Sequence, residues 1–202
     1  MEISHYQSFC RATDRGLKWQ AKQAIRAFID SFTGLEDKRA WVWANIDAIP
    51  TAQGNGAMRH ELYEEVVFPV LAEGAESGDL DSILWLARLV QNFIQDRTRG
   101  QRFGSTRDLW MRAYAAAPSD PRVRAGLLAH LLDGFEVTFH EWPSGILFMP
   151  EDKRAGVAEL RRELALARSL DGADAATREL ASWEAIVDAY EERHGLAPPT
   201  HS

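Results

Sequence analysis

Cysteine is almost absent from this chain: Cys10 is the one thiol in 202 residues. A single cysteine excludes an internal disulfide framework and a zinc site built on paired cysteines. It also gives no sign of an oxidising compartment. Long apolar runs are missing as well, the longest being a few residues against the roughly 20 that span a bilayer. The first sixteen residues mix Glu2, His5, Gln7, Arg11 and Asp14, which is not the charged-then-apolar order of a secretory leader. These absences predict a soluble, cytoplasmic protein with no membrane partner. Positive charge is in deficit, with 23 Lys and Arg against 30 Asp and Glu and a net charge of −7. That balance argues against nucleic acid, whose binders carry a basic footprint, and is compatible with a basic partner. No segment sustains period-two alternation and no Asn-Gly turn joins β-branched runs, so no sheet is expected.

What is present is helical. Hydrophobic residues make up 46% of the chain, enough at this length to bury a core without staples. Apolar residues recur at three and four, and the punctuation is that of helix ends. Gly34 stands just past a helix over 17–32 in the role glycine fills there, and Pro50 closes a helix over 36–49. The stretch 51–57 (TAQGNGA) is a loop. Pro69 lies inside a helix over 58–76 and predicts a kink. Asp79 caps an apolar helix over 80–96. Ser105 with Asp108 resembles a capping box, Asp120-Pro121 restarts a helix running to 139, and Gly195 ends the last one. Helices over 151–170 and 174–194 follow the least helical segment, 141–150 (EWPSGILFMP), in which 146–149 reads as a short strand or a buried loop. The expectation is an all-α protein of about eight helices in antiparallel hairpins, an irregular bundle or short solenoid-like array. It forms one domain over 1–195, with a disordered tail over 196–202. Seven tryptophans, at 19, 41, 43, 85, 110, 142 and 183, belong to core and inter-helix packing, with one or two available to line a groove.

Two helix pairs look alike: one over 61–93, broken at Ser77-Gly78-Asp79, and one over 108–139, broken at Ser119-Asp120-Pro121. The segment 107–123 (RDLWMRAYAAAPSDPRV) resembles the end of one tetratricopeptide unit and the start of the next, where an alanine-rich helix ends at a proline-containing turn. The Trp and Gly-Tyr positions of that family's first helix are not met upstream. The resemblance implies stacked helical hairpins with a concave surface for a protein or peptide.

Four clusters could carry chemistry. His60 and Glu64 share a helix face and are metal-ligand types, but Glu64 stands where a zincin needs a second histidine. Glu136 and His140, with Asp133 and Glu141 beside them, precede the turn Trp142-Pro143-Ser144-Gly145. There a histidine oriented by a carboxylate could serve as a general base, and Trp142 could anchor a partner. Were His60 and His140 to face each other, Glu64 and Glu136 would complete a metal or hydrolytic site. Arg97, Arg99, Arg102 and Arg107 lie on a glycine-containing loop before a helix start, suited to an anion or an acidic partner. Seven carboxylates (Glu61, Glu64, Glu65, Glu73, Glu76, Asp79, Asp81) crowd 61–81 without a Lys or Arg and could face a basic partner. No nucleophile elbow is present. The leading expectation is a non-enzymatic interaction protein without a cofactor, whose partner is another protein. A metal-binding or hydrolytic bundle and an anion-binding regulator are the alternatives.

Overall fold

The computed structural model describes residues 1–48, 59–89 and 102–196, and the chain divides into two compact units, 1–116 and 117–202. Nine helical rods and no strand are found among the described residues, so the protein is all-α. No described helix is long and apolar enough to cross a membrane. The loop 51–57, Pro50, the end of the helix over 80–96 and the tail beyond Leu196 lie outside the described residues.

Unit 1 begins with a hairpin of α1 (Ile3–Asp14) and α2 (Lys18–Asp30). The Glu2 amide donates to Ser31 Oγ at 2.9 Å, which sets the start of α1 beside the end of α2. α3 (Leu35–Asn45) follows and tightens into a 3-10 turn, Ile46–Ala48. These helices close on one aromatic knot. Phe28 and Trp41 have almost no exposure, and Tyr6, Phe28 and Trp41 meet with ring centroids 5.2–5.4 Å apart. Tilted and edge-on ring pairs of this kind add about 0.5–1.5 kcal/mol each beyond the area they bury. Gly34 is a correction: its backbone is extended (φ 176) and it is the residue before α3, not a left-handed stop after α2.

The next rod is composite: α4 (His60–Leu62), a π-turn over Tyr63–Val67, and α5 (Phe68–Ser77). The Phe68 amide bonds to the Tyr63 carbonyl, five residues back. Pro69, which has no amide to donate, thereby falls in the first turn of α5, where the missing donor removes no helical bond. The irregularity expected at Pro69 therefore takes the form of an inserted residue just before it. Gly78 then turns the chain with φ +86. Asp79 Oδ2 accepts the Ser82 amide at 2.9 Å and caps α6 (Leu80–Arg88). α5 and α6 approach so closely that a Cβ on Gly74 would overlap the Ser82 side chain. α7 (Thr106–Ala116) starts in the expected capping box: the Ser105 amide donates to Asp108 Oδ2 at 2.7 Å and the Asp108 amide to Ser105 Oγ at 3.2 Å.

Unit 2 consists of α8 (Pro121–Phe139), α9 (Lys153–Leu170) and α10 (Thr177–His194). Asp120 caps α8 through the Arg122 amide at 2.8 Å. The buried residues of α8 are Val123, Leu127, Leu131, Phe135 and Phe139, a column at every fourth position that turns one face inward. Arg124 donates to the Ser169 carbonyl at 2.6 Å, placing the start of α8 at the end of α9. Arg161 pairs with Asp188 and Glu191, and Arg168 with Glu184, so α9 and α10 also run antiparallel. The last helix begins at Thr177 rather than at Asp174. Asp171, buried in the preceding turn, accepts the Ala175 and Ala176 amides at 3.0 and 2.9 Å and orders the chain entering the helix. Gly195 ends α10 at φ +61.

Candidate functional site

The charge is divided unevenly. Residues 1–116 hold fifteen acids and fourteen Lys and Arg, whereas 117–202 hold fifteen acids and nine. Nearly all of the negative surplus therefore belongs to unit 2.

In unit 1 the crowded carboxylates of 61–81 turn out to be engaged within the unit. Arg26 on α2 reaches Glu65 at 2.6 Å, Arg39 on α3 pairs with Glu73, Arg59 holds Glu61 at 3.0 Å, and Arg102 holds Glu76 at 2.6 Å. The Arg102 hydrogen bond draws the Glu76 carboxyl below its ordinary range. Asp79 is a helix cap, and Glu64 and Asp81 have partners too. His60 Nδ1 lies 3.6 Å from Glu64 Oε1 with its ring mostly exposed, beyond hydrogen-bond length. Of the basic loop, Arg97 and Arg99 lie outside the described residues. Arg102 also stacks over Phe103 at 5.0 Å, and Arg107 is engaged. A hollow of about 430 Å³ between α3, α5 and α6 is walled by Trp43, Arg39, Glu73 and Asp79. Its charged groups already pair with one another or cap a helix.

The end of α8 in unit 2 presents the opposite picture. Glu136, His140, Asp133 and Glu141 are all exposed, and no ion pair joins Glu136 to His140 among the described residues. Trp142 is half-buried beneath the Arg193 guanidinium, 4.7 Å from the ring centroid, and Arg193 also donates to the Pro143 carbonyl at 2.7 Å. That residue latches the turn to the end of α10. His60 belongs to unit 1 and His140 to unit 2. Among the described residues no three His, Cys, Asp or Glu side chains converge as metal ligands do.

What the turn 141–150 builds is a groove. Its volume is about 410 Å³, and it runs between Thr138 at the end of α8, the segment Leu147–Pro150, and Gly156 and Leu160 on α9. The Leu147 amide donates to the Thr138 carbonyl at 2.9 Å, which folds the segment back along α8. Gly156 permits the close seat of the other side: a Cβ there would fall 2.6 Å from Pro150 Cδ. Ile146 is buried, whereas Phe148 is 82% exposed at the lip and stands at φ +60. Glu159 and Glu163 stand on the α9 wall with Arg162. Exposed Asp133 and Glu136 lie on the other flank of α8 from Thr138, away from the groove. The groove is thus apolar at its floor, with Glu163 and the Arg162–Glu159 ion pair at its rim.

The sequence marked 141–150 as the least helical segment and read 146–149 as a short strand or a buried loop, missing Phe148, Leu147 and Leu160. The available signal was the run Ile146–Met149 between two prolines: a short segment lacking ladder or helix partners cannot turn four large apolar side chains inward. Compared with models of known families, with curated proteins and with solved structures, the chain matches none.

Proposed function

We propose that this protein is a non-enzymatic helical interaction protein whose second unit docks a basic, apolar-anchored segment of another protein. The observation that carries the reading is Phe148. A bulky side chain in the left-handed region costs roughly 1–2 kcal/mol, and its ring, 82% exposed, gains little from burial within its own chain. Strain kept where the fold does not profit from it marks a binding surface. The groove supplies apolar walls for an anchor, and the acid surplus of unit 2 as a whole would steer a basic partner toward it. The helical hairpins, including the tetratricopeptide-like segment 107–123, suit such a role.

The test is fluorescence anisotropy with a labelled amphipathic peptide in which Lys and Arg alternate with Leu and Trp. Binding should weaken with salt, and Phe148→Ala should weaken it about tenfold, the loss of one modest anchor. Phe148→Gly separates binding from folding: it should raise stability by about 1 kcal/mol by relieving the backbone while binding as poorly as the alanine variant. Unchanged affinity in both variants, or equal affinity for an acidic peptide of the same apolar spacing, would overturn the proposal.

A further inference from the structure

The end of the α1–α2 hairpin carries charge that the fold does not use. α1 stops at Asp14 and Gly16 takes φ +68. The Gly16 and Leu17 amides return to the Thr13 and Ala12 carbonyls at 2.9 and 2.8 Å, so α2 begins at once, at Lys18. This tight stop leaves Leu17 and Trp19 in solvent, at 40% and 68% exposure. Trp19 meets no other ring and no cation among the described residues. Arg11, Arg15, Lys18 and Lys22 flank the stop, all exposed, against the single acid Asp14. Arg11 bonds to Ser8, and Arg15, Lys18 and Lys22 form no ion pair with a described residue. In the same unit Arg26, Arg39, Arg59 and Arg102 are all paired. The first turn of α2 also holds no acid, and no side chain caps it. A cation there opposes the positive end of the helix. The tip therefore gathers cations where neither a carboxylate nor the helix dipole holds them.

We propose that the α1–α2 tip seats the protein on an anionic phospholipid surface. Trp19 and Leu17 enter the headgroup layer, and Arg11, Arg15, Lys18 and Lys22 meet the negative headgroups. Lys22 follows Lys18 by four residues and Trp19 by three, so the first turns of α2 present ring and cations side by side. Size favours lipid over a protein partner. A stable protein interface takes roughly 20–30 residues a side, and the tip offers these few. A bilayer surface needs no such area, because side chains enter it singly: aromatic rings rest at headgroup level and long cations stretch to the charged layer. Shape favours lipid over a nucleic-acid strand, which is held in a cationic groove that tracks its backbone, whereas this is a hairpin end. Charge supplies the affinity, each Lys or Arg near an anionic membrane strengthening binding about fivefold. No described helix is long and apolar enough to cross a membrane, and none is needed here, since such contacts reach only about 5–10 Å into the interface. The want of a long apolar run bears on spanning and not on this peripheral contact.

Co-sedimentation of the full chain with vesicles tests this directly. The wild type should bind vesicles of phosphatidylcholine mixed with phosphatidylserine, more tightly as the phosphatidylserine fraction rises and less tightly as salt is added. It should leave vesicles of phosphatidylcholine alone in suspension without it. Trp19→Ala should weaken binding about tenfold, and the pair Lys18→Glu with Lys22→Glu by more than that. Both variants change only exposed side chains and should keep the wild-type circular dichroism. Insertion has its own readout. Bromine-labelled acyl chains should quench part of the tryptophan fluorescence of the bound wild type, and Trp19→Phe, which keeps a ring at the tip, should still bind and lose that quenching. A wild type that ignores the mixed vesicles overturns the proposal. So does binding that survives both tip variants, or quenching that persists in Trp19→Phe. A wild type that passes over vesicles but binds polyglutamate or single-stranded DNA through the tip overturns it as well, and assigns the surface to an acidic protein or a nucleic acid.

Discussion

In unit 1, arginines from α2, α3 and the stretch before α7 reach across to the rod over 60–77, and each meets a carboxylate there. In unit 2 Arg161 and Arg168 of α9 are matched to α10, and the acids at the end of α8 are left facing outward. Both units use acids to tie helices together, yet unit 2 also leaves acids at the end of α8 as a surface field. Local acidity in a sequence therefore says little until the reach of arginines from other helices is known. Exposed ion pairs of this kind contribute only about 0–1 kcal/mol each. Their larger consequence is that they remove charge from the surface a partner would meet.

The contrast between a self-satisfied unit and an outward-facing one can be broken most sharply at the aromatic knot. Trp41→Ala should destabilise unit 1 by about 3–5 kcal/mol in urea unfolding, while Phe148→Ala in unit 2 should stay within about 0.5 kcal/mol of wild type. Comparable losses at the two positions would erase the distinction. Gly74→Ala comes next: forcing α5 away from Ser82 should cost about 1–3 kcal/mol, and adding Ser82→Gly should return most of it. Asp79→Ala should cost about 1 kcal/mol through loss of the α6 cap, measured from the denaturation midpoint. The smallest effect is that of acid. Asp30 beside Arg26, Asp37 beside Thr33, Glu61 with its own amide and Arg59, Glu76 beside Arg102 and Asp108 beside Ser105 all titrate below their ordinary range. A depressed carboxyl stabilises the fold above its unfolded pKa, roughly 4, and that contribution is lost as pH falls through the folded value. In unit 2 Asp120, hydrogen-bonded by Arg122, is held at about 2, and protonation of the surplus acids relieves repulsion. Hydrogen exchange between about pH 5 and pH 3 should therefore show unit 1 losing protection before unit 2. The reverse order would mean that surface repulsion does not differ between them.

Much of the fold was legible because helix ends are local events. Asp79, Asp120, the Ser105–Asp108 box and Gly195 act within a few residues, and each is where its residue type demands. Gly34 was misread because extended and left-handed glycines look alike in a sequence; the chain geometry around α3 decides between them. The candidate surfaces were less legible because exposure is a tertiary property. Nothing local distinguishes Trp41, at 2% exposure, from Trp19, at 68%. One meets Tyr6 and Phe28 from other helices, and the other stands exposed at a hairpin end. Arg102 and Glu76 are likewise far apart in the chain and close in space.

The π-turn at Tyr63–Val67 has a consequence for alignment. One added residue in a helix rotates everything before it by about 100° relative to everything after it. His60, Glu61 and Leu62 therefore stand out of phase with the heptad frame that Val70, Leu71 and Ala75 define. A relative that lacks the insertion would align without a gap from residue 68 onward and one position adrift before it. Deleting a single residue from 63–67 would heal the helix and swing the side chains at 60–62 to a different face.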